Sequence, residues 1–234
     1  GTTIMAAVVF YAMVVGSLGS EAAANSLRCI GSAARQFLKK RMTVRAETLP
    51  MWVVYLLELA AVYAKNSKVR LGAGYACFLT HGRFRNSDGQ AIEEMQPDRI
   101  NDEQGRLADG TIEALAAEVK TAGTVQKKRG LLPIVAQIRG LSDEDWFQGF
   151  TGARAANDLH RMPAIGEQQP RECPLLPSGI MGANRRETGA KADEATAIIR
   201  WVLSVLEVPE PLIARVSSHS PKRTMLSLYG KLQV

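Results

Sequence analysis

Apolar residues recur every three or four positions over most of this chain, the spacing of one face of a helix. Residues 4–15 form an uninterrupted apolar run, and after a break at "GSLGS" Ala24, Leu27, Ile30, Ala34, Phe37 and Leu38 share a face. Two helices are expected there, over 4–15 and 21–40. The segment "ETLPMWVVYLLELAAVYAK" is a strong helix, with Thr48 able to cap it and Pro50 suited to its first turn. "KVRLGAGYACFLTHG" is a second apolar helix, closed by a glycine and the charged turn "RFRNSD", with a further helical stretch beyond. From about 93 to 110 the chain is acidic and polar, and "ADG" marks a turn.

The pattern then becomes ambiguous. "IEALAAEVK" is helical by propensity, "LLPIVAQI" reads as a buried strand, and the polar "TAGTVQKKRG" between them suits a hairpin loop. "SDEDWFQGF" opens with a capping-box pattern from Ser142 to Asp145, so a helix starts there. Residues 161–190 are rich in Pro, Gly and polar side chains and read as a long loop. "GAKADEATAIIRWVLSVLEV" is amphipathic, with Ala195, Ile198, Ile199, Val202 and Leu206 on its apolar side. Helices 52–64 and 192–206 are expected in the core, Trp201 with them. A last helix opens in "SSHSPKRTMLSLYGK". The fold class expected is mainly α with a small antiparallel β-sheet (α+β), in two parts: residues 1–45 as the end of a helical domain, and 46–234 as a second domain.

Composition narrows the function. Hydrophobic residues make up 46% of the 234, enough to bury a core. The net charge is +6, which favours an acidic partner such as nucleic acid. Cys29, Cys77 and Cys173 are odd in number and widely spaced, so neither a disulfide framework nor a paired-cysteine zinc site is visible. This suits a reducing compartment, nuclear or cytoplasmic. The run at 4–15 can be read as a signal peptide or as a buried helix. It lacks a basic leader and is short for a bilayer span, so the buried helix is preferred and no membrane partner is expected. The chain opens with Gly1 rather than Met, so its true start can lie upstream. His81, His160 and His219 show no zinc-hydrolase spacing, and no nucleophile elbow or phosphate-binding glycine loop appears. No metal and no cofactor are expected.

Three short segments carry the candidate chemistry. Arg85-Asn86-Ser87-Asp88 follows an apolar helix and a glycine turn. Lys120-Thr121 sits at the edge of the candidate hairpin, ahead of Lys127, Lys128, Arg129 and Leu132-Pro133. His219-Ser220-Pro221-Lys222-Arg223-Thr224 opens the last helix. In this order the segments resemble the tyrosine recombinase (phage integrase) family, whose signatures are Arg-x-Ser-Glu/Asp, a hairpin lysine and His-x-x-Arg. The wording of the last segment looks most like eukaryotic mobile-element members, in which lysine can replace the second arginine. The resemblance covers roughly residues 48–234, and it implies that 1–45 is the C-terminal part of a helical DNA-binding domain and 46–234 a recombinase catalytic domain, incomplete at its C-terminus.

The resemblance implies a DNA phosphodiester as substrate, attacked by a tyrosine to leave a 3′-phosphotyrosyl link. Charge grows on the non-bridging oxygens, and two cations grip them. Arg85 is then the first grip and Lys222 stands at the second, with Ser87 and Asp88 as supports. Lys120 is the general acid for the leaving 5′ oxygen, and His219 bonds the phosphoryl oxygen or assists proton transfer. His219 and Lys222 lie one helical turn apart and can face one phosphate. Arg223 fills the second cation position instead if the turn is shifted by one residue. Lys39, Lys40 and Arg41, with Lys127, Lys128 and Arg129, are candidate contacts to double-stranded DNA, or solvated charge runs, and self-association on DNA fits the same reading. Two departures stand out. Lys222 lacks the bidentate fork of arginine. Tyr229 is only seven residues past Lys222 in the same predicted helix and is a poor candidate for the nucleophile, so the chain is expected to stop before its last catalytic element. A non-catalytic DNA-binding remnant of a recombinase is the alternative, and a membrane-attached helical protein the third.

Overall fold

The computed structural model describes residues 47–105, 107–117, 131–168, 172–182 and 188–232. The chain divides into two units, Gly1–Arg45 and Ala46–Val234, and the architecture below is that of the second. The helices expected at 4–15 and 21–40 lie outside the described residues.

Helix α1 is Met51–Tyr63 and α2 is Ser67–His81. The capping of α1 differs from the expectation. Pro50 itself occupies the cap position and makes no side-chain cap bond, while its carbonyl accepts from Val53 N–H and Val54 N–H. Helix α2 does start with a side-chain cap, Asn66 Oδ1 accepting from Lys68 N–H at 2.9 Å. It is the central helix, buried from Leu71 to His81. Two glycines make that possible: a Cβ on Gly72 would lie 2.7 Å from Val202, and one on Gly74 2.6 Å from Phe150. Helices on both sides therefore approach its backbone closely.

A short helix α3, Asn86–Gln90, leads into a three-stranded antiparallel sheet ordered β1-β2-β3: Ile92–Asn101, Leu107–Ala117 and Leu131–Gln137. "IEALAA" is therefore strand, against its helical propensity. Ile112, Ala114 and Ala116 alternate into the core and pair with Ala136, Ile134 and Leu132 of β3. Two flanking strands outweigh propensity terms of a few tenths of a kcal/mol per residue. The polar stretch from 93 onward was hard to read because most of β1 is exposed beyond Met95 and shows no alternation.

Helix α4 is Trp146–Ala155, α5 Ala192–Val205, α6 Glu210–Ile213 and α7 Ser220–Leu232. The cap of α4 is Asp145, whose Oδ1 accepts from Gln148 N–H at 2.7 Å; Ser142 serves the turn before it. The core centres on Phe78, which meets Phe84 edge-on at 4.9 Å and lies 6.2–6.5 Å from Trp146, Phe147 and Phe150. The apolar side of α5 is buried at Ala195, Ile198, Ile199 and Val202 as expected, but Trp201 is half-buried at the margin and Trp146 is the fully buried tryptophan. The described parts of 161–190 contain neither helix nor strand. They are tied down by Arg154 and by Glu194, which accepts from Ser178 Oγ and Gly179 N–H. Cys77 is buried and Cys173 half-buried, both free. Burial, with the charge of Glu58, pushes the Cys77 thiol well above its ordinary value, so that thiol is inert. No helix among the described residues is long and apolar enough to cross a membrane.

Candidate functional site

Arg85 is set by the turn that ends α2. Phe84 is buried against Phe78, and Arg85 has extended backbone at the cap of α3. Asp88 is buried and its Oδ2 accepts from Arg85 N–H at 3.0 Å, while Arg85 C=O accepts from Asp88 N–H at 3.0 Å. This reciprocal pair satisfies two backbone groups and fixes the point from which the Arg85 side chain leaves. Ser87 is exposed and donates to Asp88 Oδ1 at 3.3 Å.

Asn86 is locked more tightly. Tyr75 Oη donates to Asn86 Oδ1 at 2.6 Å, Gln90 Nε2 donates to Tyr75 Oη at 3.0 Å, and Asn86 Nδ2 donates to Ala190 C=O at 2.9 Å. Burial raises the Tyr75 phenol well above its ordinary value; the Gln90 bond offsets part of this and the charge of Asp88 adds to it. The phenol therefore stays protonated and remains a donor.

The opening of α7 is built from serines. Ser217 Oγ accepts from His219 N–H at 3.2 Å, and Ser220 Oγ accepts from Ser217 N–H at 3.0 Å. Ser218 N–H donates to Thr196 Oγ1 at 2.9 Å. Arg200, one turn further along α5, donates to Val216 C=O and Ala214 C=O at 2.8 Å each. Thr224 accepts from Leu49 N–H at 2.8 Å. His219 is exposed; Lys222 and Arg223 are half-buried.

Both signature segments thus hang on the start of α5. The Arg85 turn is tied to Ala190, just ahead of that helix, and the His219 turn to Thr196 in its second turn. Ala190 lies two residues ahead of α5 and Thr196 is its fifth residue, so the two anchors are close in sequence. The Arg85 guanidinium, the His219 imidazole and the Lys222 ammonium have no hydrogen-bond or ion-pair partner among the described residues. Other arginines are engaged: Arg99 with Asp145 at 3.0 Å, Arg139 with Asp143 at 2.9 Å, Arg161 with Glu167 at 2.8 Å and Arg215 with Glu47 at 3.3 Å. Arg85 and Lys222, cations without a partner among the described residues and held by an ordered frame, are able to take an anion.

Lys120, Lys127, Lys128 and Arg129 fall between β2 and β3 in sequence, outside the described residues, as do Lys39, Lys40 and Arg41. An open groove of about 1120 Å³, lined in part by Arg99, Arg139, Asp143, Glu144 and Asp145, is a poorer anion site because both its arginines are paired. No cluster of His, Cys, Asp and Glu among the described residues could hold a metal ion.

One pair escaped the sequence reading. Glu58 and His81 are both buried, with Oε1 and Nε2 2.9 Å apart. Glu58 Oε2 accepts from Ser142 N–H at 2.7 Å, and His81 stacks on Trp146 with ring centres 5.5 Å apart. Burial pushes the Glu58 carboxyl up, but the His81 bond and the Leu141 and Ser142 amides outweigh it and hold the group below its ordinary value. A single acid inside the apolar run "LLELAA" was the available signal.

The Arg85 turn joins α2 to α3, the His219 turn opens α7, and each is hydrogen-bonded to α5 or to the residues just ahead of it. No family model matches the sequence, and no curated protein matches it. Among solved structures, the chain is similar to an FLP recombinase–Holliday junction complex, with TM-score 0.43 and 16% identity over 98% of this chain and 49% of that one. It is also similar to an Flpe–Holliday junction complex, with TM-score 0.42 and 16% identity over 86% and 45%. The chain spans about half the length of these proteins. At that identity and TM-score neither fold nor activity transfers.

Proposed function

We propose that the Ala46–Val234 unit engages a backbone phosphate of double-stranded DNA as the catalytic domain of a tyrosine recombinase. Arg85 and Lys222 grip the non-bridging oxygens and His219 bonds the phosphoryl group. The supporting observation is the placement of three polar heads, without a partner among the described residues, on two segments tied to α5 and to the residues just ahead of it. The sequence signatures supply the chemistry. A tyrosyl oxygen attacks phosphorus, the P–O5′ bond breaks, and Lys120 gives its proton to the 5′ oxygen. The 3′-phosphotyrosyl link conserves the bond energy for rejoining, so neither cofactor nor metal enters. Integration of a mobile element is the biological process this serves. No tyrosine of this chain is assigned as the nucleophile.

A second reading, DNA binding without cleavage, is favoured by Lys222, which offers one point charge where the family places a bidentate fork. The two readings part on one gel: a protein–DNA adduct that survives denaturation on a nicked duplex supports cleavage, and tight binding without adduct supports the second.

Binding itself is tested by fluorescence anisotropy with a labelled duplex. Arg85→Ala and Lys222→Ala should each weaken binding about 10-fold or more, from the roughly 1.5–3 kcal/mol of a charge-assisted bond. The slope of log affinity against log salt should fall by about 0.9 for each phosphate that is no longer neutralised. The Arg85→Ala melting temperature should not change, because its guanidinium bonds no other group among the described residues. Wild-type affinity in both variants refutes the DNA-phosphate reading.

A further inference from the structure

On the phosphodiester reading of this site, we infer that Asn86 and Thr196 are positioning residues that use the start of α5 as a ruler to set the separation of Arg85 from His219 and Lys222. Neither side chain is needed to touch the DNA. Asn86 is buried, and its amide is consumed by Tyr75 on one side and Ala190 on the other. Thr196 is similarly committed: its hydroxyl donates to Ala192 C=O at 2.7 Å and accepts from Ser218 N–H at 2.9 Å. Each of these bonds lies one residue from a proposed phosphate-gripping side chain. Asn86 follows Arg85, and Ser218 precedes His219.

The two cationic segments are far apart in sequence, and each has its own local frame, Asp88 for Arg85 and the serine cap for His219. Those frames fix each segment internally and do not fix one against the other. The span from Ala190, two residues ahead of α5, to Thr196 in its second turn links them, because both ends of it are hydrogen-bonded, one to each segment. A helix is stiff along its axis, so the separation is preset before a phosphate arrives. Preorganised donors stabilise developing charge far better than donors that must be gathered. Arg200 reinforces the His219 side of the same ruler through Val216 and Ala214.

The test is duplex affinity by anisotropy in single and paired variants of the full chain, each checked by thermal melting. Thr196→Val keeps the shape and removes the acceptor; Asn86→Ala removes the link to Ala190. Each should weaken binding about 10-fold, and Thr196→Ser should return to within about twofold of wild type. Asn86→Ala should add nothing in the Arg85→Ala background, and Thr196→Val nothing in a background lacking both His219 and Lys222 (His219→Ala with Lys222→Ala), because each acts through side chains already removed. A general loss of stability would give additive effects and no serine rescue. Should Asn86→Ala fail to fold, Tyr75→Phe carries the same test, removing the donor to Asn86 while keeping the ring. Wild-type affinity in Thr196→Val and in Asn86→Ala or Tyr75→Phe, with Arg85→Ala and Lys222→Ala still weak, overturns the positioning role and leaves the phosphate reading standing. Wild-type affinity in Arg85→Ala and Lys222→Ala overturns both.

Discussion

Glu58→Ala is expected to destabilise the Ala46–Val234 unit by about 3–5 kcal/mol, read as a fall in the urea midpoint with an unchanged slope. The carboxylate is fully buried and serves three elements at once. It bonds His81 at the end of α2 and Ser142 N–H in the loop before α4, while sitting itself on α1. Alanine leaves a cavity and strips a buried imidazole and a backbone amide of their partner. Glu58→Gln keeps the volume and part of the bonding and should lose less. Acid should act in the same place. The folded carboxyl lies below its ordinary 4.5. Its contribution is therefore complete above that value and is lost as pH falls through the folded value. Glu58→Gln should lack this part of the acid sensitivity. An unchanged urea midpoint in Glu58→Ala would remove the pair from the account of stability.

Arg154→Ala is expected to cost about 3 kcal/mol or more, since each bond to a charged donor is worth roughly 1.5–3 kcal/mol and several go together. Arg154 is 3% exposed. It donates to Pro174 C=O and Leu175 C=O through Nη1, and to His160 C=O and Cys173 Sγ through Nη2. One side chain on α4 thus organises the backbone of a long irregular segment. The expected signature is twofold: a lower urea midpoint, and faster proteolytic cleavage within 157–182. Arg154→Lys keeps the charge without the fork and should recover under half of the loss. Equal cleavage rates in wild type and Arg154→Ala would sink this role.

The helices were legible where burial is one-sided. The apolar stripe of α5 is continuous from Ala195 to Val202, and α1 is so apolar that any folded state must bury part of it. Strand β3 was legible from the β-branched run around Ile134 and Val135. Strand β2 was not, because Ala, Leu and Glu favour helix until neighbouring strands claim their backbone. Strand β1 was hidden by its exposure. At the site, Asp88 three residues after Arg85 is a cap signal in the sequence, and its carboxylate accepts from Arg85 N–H. Asn86 and Thr196 were invisible, since a hydrogen bond from Asn86 to Ala190 joins residues about a hundred positions apart and leaves no local pattern. The Glu58–His81 pair was hidden for the same reason.

The bond from Leu49 N–H to Thr224 Oγ1 joins residues 175 positions apart, and the Arg215–Glu47 pair spans 168. The entry to α1 is therefore completed by α7, which is synthesised some 175 residues later. At about 5–20 residues per second, α1 waits roughly 10–35 s for that partner. Throughout this interval a helix carrying Trp52, Tyr55 and Leu57 lies in a nascent chain that has not closed. Pairings of such long sequence separation slow folding, so recovery of this protein in soluble form should depend on translation speed and on chaperones that shelter its early apolar helices until α7 has emerged.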